Sequence, residues 1–186
     1  MAETKEAKKL TIGRDIFPAP KGSSEYSESI DRQRIDLFLK ISGLHTKTPF
    51  SSYISDGDVI EIYDMNFVQI YCNGKFFEVT SIPLTKLDSK PYSELYLRQP
   101  HIQMTMMSEI KRLLQSEGAP IRFNVPERTL TETEGEERII QVNFKYAALL
   151  FNESNEAAGI LVNQTAKHVH RHKLTPVRHP ASFIDV

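Results

Sequence analysis

The chain has a single cysteine, no tryptophan and no excess of charge of either sign. One thiol, Cys72, excludes an internal disulfide and a Cys-x-x-Cys metal site, and a single buried thiol fits a cytoplasmic protein. The net charge of -1 gives no bulk attraction to nucleic acid or to a membrane surface. No apolar run approaches the roughly 18 residues of a membrane helix. The first residues lack the apolar core of a secretory signal, so we expect no leader.

The common catalytic motifs are also missing. The sequence contains no GxSxG, no GxxxxGK[ST] and no GxGxxG. The acids Glu61, Asp64 and Glu78 stand apart, and nothing in the sequence pairs them for acid–base catalysis. We therefore expect a protein that is not an enzyme and acts by binding, with no cofactor and no metal.

What the sequence does contain is a frame of strands around a helical middle. β-Branched and aromatic residues predict strands at 59–63, 67–72, 121–125, 139–151 and 157–162. The strongest helix prediction is at 101–117, because Pro100 suits a first helical position and Gly118 follows the end. Residues 126–137 are polar and predict a loop. Met104, Met106 and Met107 fill a core or line a ligand cavity, and both interpretations stay open.

A helix is also predicted at 24–43, with Ser23 or Ser24 as its cap and Gly43 as its stop. Its apolar residues extend beyond one stripe. Two interpretations follow: the helix packs on its own sheet, or it forms a dimer. Two sets of residues are therefore candidates for a partner or dimer surface. The helix contributes Ile35, Leu37, Phe38 and Ile41, and the expected outer face of the sheet contributes Tyr63, Tyr71, Phe144 and Tyr146.

The two ends of the chain are polar. Residues 1–23 predict a flexible arm. Residues 166–186 form a basic, histidine-rich tail, whose cations are Lys167, Arg171, Lys173 and Arg178. His168, His170 and His172 alternate and could approach one metal ion from a strand, but no carboxylate or thiol lies nearby to complete the site. A solvated basic strip that attracts an acidic protein surface is the preferred interpretation.

The region 58–165 resembles the PAS domain, a sensory α/β module. The motifs that carry the resemblance are D-M-N-F-V-Q-I (64–70), Asn73 with Phe76 and Phe77, P-Y-S-E-L (91–95), F-N-E-S-N-E-A-A-G (151–159) and N-Q-T (163–165). The resemblance implies a five-stranded antiparallel sheet with short helices and one long helix. Asn163 replaces the family's aspartate, which removes an implied salt bridge. The reactive cysteine of flavin photosensors is missing, and His101 is too early in its helix for a haem ligand.

These observations predict an α+β, PAS-like fold and a signalling module that recognises a protein partner, a second copy of itself or a small ligand. We expect no membrane partner and no nucleic-acid partner. Two alternatives stay open. One is a ligand carrier or enzyme with a cavity under the long helix. The other is a nucleic-acid-associated protein that uses the basic tail.

Overall fold

The computed structural model describes residues 28–55 and 57–169. The predicted arm at 1–23, and Arg171, Lys173 and Arg178 of the tail, lie outside the described residues. Among the described residues, no helix is long and apolar enough to cross a membrane.

The helices follow the predicted order along the chain, in which a long helix comes first, a group of short helices follows, and a second long helix comes last. Their bounds are α1 Glu28–Ser42, a 3-10 turn Ser51–Tyr53, α2 Gly74–Val79, α3 Leu84–Leu87, α4 Tyr92–Leu95 and α5 Pro100–Leu114. Pro100 occupies the start of α5, as its fixed φ predicts. Gly43 follows α1 with φ +67°, a left-handed conformation that favours glycine.

The strands of the described region form one antiparallel sheet. Their bounds are β1 Val59–Asp64, β2 Gln69–Cys72, β3 Tyr96–Leu97, β4 Ile121–Arg122, β5 Arg128–Glu132, β6 Ile139–Phe151 and β7 Ala157–Val169. The spatial order is β2-β1-β7-β6-β5-β3, and β4 pairs with β6 beside β5. The element order and the curled antiparallel sheet are those of the predicted α+β, PAS-like fold.

Both faces of the sheet are covered by apolar side chains. The inner layer lies between the sheet and the helices α2 to α5, with Leu87, Leu95 and Leu113 among its most buried members. The outer layer lies between the sheet and α1, with Ile35 and Leu161 at its centre. Burial on both faces explains why the strands are rich in apolar residues beyond simple alternation.

The predicted polar loop at 126–137 is wrong in its first half, because β5 lies there. Residues Arg128, Leu130 and Glu132 point inward and alternate with more exposed threonines. This alternation of buried and more exposed residues is typical of a half-buried strand. Because two of the three inward residues are charged, the strand cannot be recognised from the hydrophobic pattern of the sequence. The predicted third strand at 121–125 shortens to β4, and β7 continues to Val169 beyond its predicted end.

Shifts in strand register decide which side chains share a face, and two of them affect the candidate site. The pairing shifts between Ile62 and Tyr63 against β2, and between Phe144 and Tyr146 against β7. An extra residue reverses the alternation from that point onward. The shift in β2 places Gln69 on the inner face beside Tyr63, and the shift in β6 places Phe144 in the inner layer and Tyr146 in the outer one. Tyr63 and Tyr71 lie on opposite faces by the regular alternation of β1 and its pairing with β2.

Candidate functional site

A group of hydrogen-bonded polar side chains lies inside the apolar inner layer. Glu61 on β1 is at its centre and is 1% exposed. Tyr63 comes from the same strand, Gln69 from β2 and Gln164 from β7, and all three are buried. We call these four residues the interior polar cluster. The alternation of β1 brings Glu61 and Tyr63 to one face, as the sequence predicts.

The three neighbours of Glu61 all donate to its carboxylate. The Tyr63 hydroxyl and Gln69 Nε2 donate to Oε2, the latter at 2.8 Å, and Gln164 Nε2 donates to Oε1. The carbonyl oxygens of both glutamine side chains are buried and have no hydrogen-bond partner in the described part of the chain. The cluster therefore keeps unused acceptor capacity.

Burial makes Glu61 titrate near neutral pH. Removal from water raises the pKa of Glu61 from 4.5 to about 7, and this effect outweighs the three donors and the positive charge of Arg128, which act in the opposite direction. A carboxyl group with this pKa exchanges its proton in the physiological range.

Arg128, the first residue of β5, is a buried cation that lies near this cluster. It is 7% exposed, and its guanidinium carbon lies 4.1 Å from the centre of the Phe144 ring. Its three nitrogens make no hydrogen bond of normal geometry with the described residues. Burial lowers the pKa of Arg128, and the nearby Tyr92 hydroxyl opposes that change. The cation–π contact compensates only part of the lost hydration.

Tyr92, at the start of α4, separates two small cavities of the inner layer. One has a volume of about 40 Å³ and is lined by Tyr63, Met106 and Phe144 among others. The second, of about 10 Å³, is lined by Glu61, Gln164 and other residues. By volume, the larger cavity holds about three water molecules.

The Tyr92 ring is held from several sides. The Arg98 guanidinium stacks on it, 4.4 Å from its centre, and also donates to the Tyr92 carbonyl at 2.7 Å. The rings of Tyr63 and Tyr96 pack at 5.6 and 4.9 Å between centres. The Tyr92 hydroxyl itself has no hydrogen bond of normal geometry among the described residues. Since burial raises its pKa, it remains a protonated donor.

The proposed surface residues of α1 divide into two groups. Ile35 is buried, and Phe38 packs on Tyr71 at 4.8 Å between ring centres, so both face the sheet of their own chain. Leu37 and Ile41 are 42% and 50% exposed and point away from it. The interpretation that the helix packs on its own sheet therefore accounts for half of the four residues, and the other two remain candidates for a partner surface.

The placement of the four aromatic residues on one outer face is wrong, because Tyr63 and Tyr71 lie on opposite faces of paired strands and the bulge in β6 separates Phe144 from Tyr146. Tyr63 and Phe144 are buried in the inner layer. Tyr71 is on the outer face but is covered by α1, and Tyr146 packs against Tyr53 at 4.8 Å between ring centres. Asn163 is also on this face, and its side-chain amide donates to the Tyr53 carbonyl.

The remaining sequence candidates lie apart from the interior polar cluster. Lys167 is exposed on β7, and His168 follows it on the same strand. His170 and His172 fall outside the described residues, so the alternating histidines stay a prediction. Within residues 28–55 and 57–169, no three metal-type ligands come together. Met106 is buried in the core, whereas Met104 and Met107 are exposed.

Sequence reasoning missed Arg128, Gln69 and Gln164. Arg128 was concealed by the polar composition of the predicted loop, although its alternation with Leu130 and Glu132 was a usable signal. The glutamines gave no signal, because a polar residue in a strand normally faces water, and only strand pairing brings these two onto Glu61.

No protein-family model matches the chain, and a search of curated proteins also finds no match. Among solved structures, the chain is similar to a PAS domain of a protein from Colwellia psychrerythraea, with 16% identity, 73% of this chain and 94% of that chain covered, and a TM-score of 0.45. It is also similar to the light-state dimer of the fungal blue-light photoreceptor Vivid (12% identity, 79% and 97% covered, TM-score 0.43). A sensory box sensor histidine kinase from Vibrio cholerae gives 10% identity, 76% and 97% coverage and a TM-score of 0.41.

Similarity at these identities concerns the fold alone, and TM-scores below 0.5 add no weight to a functional conclusion. The assignment of a PAS-like fold therefore rests on the element order and strand order of this chain. Function has to be argued from its own side chains.

Proposed function

We propose that this chain is a regulatory module that senses a small polar ligand beside Arg128 and has no catalytic role. The observation that carries the proposal is the buried guanidinium, whose nitrogens make no hydrogen bond of normal geometry with the described residues and which has the Tyr92 hydroxyl as a close polar neighbour. An unpaired buried charge is strongly destabilising, at several kcal/mol. A ligand with a hydrogen-bond acceptor would satisfy it and would thereby bind.

The surroundings of Arg128 favour a specific ligand-binding site over a buried charge that has no function. The Phe144 ring holds one face of the guanidinium, so the cation has a defined position before any ligand arrives. The Tyr92 hydroxyl adds a donor beside the guanidinium, and the interior polar cluster holds two buried glutamine carbonyls that have no hydrogen-bond partner among the described residues. Interior polar groups of this kind fix the orientation of a ligand in a largely apolar pocket.

Binding would be transmitted through Tyr92. This residue lies between the two cavities and also begins α4, whose backbone continues directly into β3 at the sheet edge. A ligand that engages the Tyr92 hydroxyl biases the position of α4 and of the edge strand. Such a displacement changes the surface that a partner meets, which is the usual output of a sensory module.

The test compares the protein with Arg128→Met, which keeps the length of the side chain and removes its charge. We expect the ligand-free variant to be more stable than the parent, by about 1–4 kcal/mol in urea denaturation, because an unpaired buried cation is replaced by an apolar side chain. Ligand-dependent rises in melting temperature, screened with small anions, amides and zwitterions, should be present in the parent and absent in the variant.

A less stable Arg128→Met variant, together with a parent that no screened compound stabilises, would show that Arg128 serves the fold alone. Arg122→Met is the matched control, since Arg122 lies exposed on β4 and should change neither stability nor ligand response appreciably.

Self-association through α1 is a second candidate function, supported by the exposure of Leu37 and Ile41 on one helix face. Deleting α1 would uncover Ile60 and Leu161, so point substitutions are the cleaner test. If the face is a dimer interface, Leu37→Glu with Ile41→Glu should convert a dimer into a monomer in light scattering. Equal masses for parent and double variant would exclude this interface.

A further inference from the structure

Gln164 of the interior polar cluster is placed to form a hydrogen bond with Glu61 in either protonation state of that acid. Its side chain is 4% exposed, and its Nε2 donates to Oε1 of Glu61. The carbonyl oxygen of the same amide is buried and accepts no hydrogen bond from the described residues. The nitrogen and oxygen of a primary amide occupy almost equivalent positions, so a half turn of the amide exchanges donor and acceptor with little change of shape.

The two oxygens of Glu61 differ in how easily they can take up a proton. Oε2 accepts from both the Tyr63 hydroxyl and Gln69 Nε2, so a proton there would displace two donors. Within the described residues, Oε1 accepts from Gln164 alone. A proton on Oε1 would meet the hydrogens of the Gln164 amide. Reversal of that amide removes the conflict, because its carbonyl oxygen then accepts the new carboxyl hydrogen.

Reversal of the amide also gives Tyr92 a possible donor. Gln164 and Tyr92 both line the cavity of about 10 Å³ that lies beside Glu61. The buried Tyr92 hydroxyl makes no hydrogen bond of normal geometry with the described residues, and its oxygen can accept one. The cavity has room for about one water molecule, which can bridge the two groups. Since Tyr92 is the first residue of α4, the proton on Glu61 would thereby be linked to the position of this helix.

The other titratable groups around Glu61 keep their charge near neutral pH. They are Tyr63 of β1, Tyr96 of β3, Tyr92 of α4 and Arg128 of β5. Burial raises the pKa of all three tyrosines above the ordinary value of 10, so they stay protonated. Arginine stays charged, and its charge favours the ionised form of Glu61. The remaining residues of the cavity wall, from α2 and the strands β1, β5, β6 and β7, are apolar.

We propose that the interior polar cluster is a proton-operated switch, in which Gln164 donates to ionised Glu61 and, after its amide reverses, accepts from protonated Glu61. The proton comes from the solvent and binds Oε1, and no other covalent bond forms or breaks. Burial raises the pKa of Glu61 to about 7, so both states are populated near neutral pH. The input is the proton itself, so the switch operates without a ligand beside Arg128.

The experiment follows the carboxyl carbon of Glu61 by NMR from pH 5 to pH 9, with Glu61→Gln to assign its signal. The parent is compared with Gln164→Met and with Gln69→Met as the matched control. Loss of a fixed donor favours the protonated acid, so Gln69→Met should raise the titration midpoint by about one pH unit. Gln164→Met should leave the midpoint within about 0.3 pH units of the parent, because it removes one hydrogen bond from each state.

A second measurement needs no substitution at position 164. In the parent, nuclear Overhauser contacts of the Gln164 amide protons should pass from the Glu61 side chain to the Tyr92 ring as the pH falls from 8 to 5. This change reports the reversal directly, and it remains measurable if Gln164→Met does not fold.

The inference is overturned if Gln164→Met raises the midpoint as much as Gln69→Met does, because Gln164 is then a fixed donor. It is also overturned if the amide contacts are the same at pH 5 and pH 8, or if Glu61 does not titrate between pH 5 and pH 9. No ligand of Arg128 takes part in these measurements, so a negative result leaves the proposed ligand sensing as it stands.

Discussion

Replacing Glu61 with glutamine should flatten the dependence of stability on pH. In the folded protein the Glu61 pKa is about 7, against an ordinary value of 4.5, because burial disfavours the charged form. The folded state therefore holds this proton more tightly than the unfolded chain does. The resulting contribution to stability is fully present below pH 4.5 and is lost as the pH rises through about 7.

The magnitude follows from the two pKa values. A difference of about 2.5, at about 1.4 kcal/mol for each tenfold change in proton affinity, corresponds to about 3 kcal/mol. Most of this change in stability occurs within a pH range in which unfolding can be measured. Linkage predicts that the free energy of unfolding drops by about 2.5 kcal/mol between pH 5 and pH 8 because of Glu61 alone.

The Glu61→Gln variant retains an acceptor for Tyr63 and gains an amide donor. The free carbonyl oxygens of Gln69 and Gln164 can accept from that amide after their side chains rotate, so the variant should fold. Urea denaturation from pH 5 to pH 8 then compares the two proteins. The parent should lose stability with rising pH, and the variant should lose about 2.5 kcal/mol less over the same range.

The difference between the two pH profiles isolates Glu61, because the two proteins are identical at every other position. Parallel profiles would refute the reasoning, since they would mean that Glu61 is ionised at pH 5 in the folded state. If the profiles are parallel and the variant is less stable throughout, the carboxylate hydrogen bonds also outweigh the cost of its burial.

Three further substitutions test the packing that positions the site. Leu113→Ala should cost about 2–5 kcal/mol in chemical denaturation, because Leu113 is 0% exposed, while its neighbour Leu114, at 46%, is the control and should cost far less. Gly159→Ala should cost about 1–3 kcal/mol, because its Cβ would lie 2.7 Å from a backbone oxygen of β1; an unchanged melting temperature would contradict this. Glu132→Gln should cost about 1–3 kcal/mol and speed proteolysis of the 80–90 segment, because two backbone amides and two hydroxyls donate to that buried carboxylate. Equal cleavage rates would exclude this role.

Most of the helices and strands could be predicted, because the residues of each element specify it locally. β6 begins at Ile139 and ends at Phe151, as the β-branched and aromatic residues there indicate. α5 starts at Pro100 because proline suits that position and no later one. β5 could not be predicted in the same way, since its inward residues Arg128 and Glu132 find their surroundings only from distant segments.

The same division applies to the candidate site. The sequence by itself determined that Glu61 shares a face with Tyr63, because side chains in a strand alternate with a period of two. Only the tertiary structure decided that this face is the inner one, that a bulge brings Gln69 onto it, and that Arg128 lies nearby without a hydrogen bond of normal geometry to the described residues. A bulge adds one residue to a strand without changing the local composition, so it cannot be predicted from the strand's own residues. The burial of a charged side chain depends on the segments that cover it, and these are distant in the sequence.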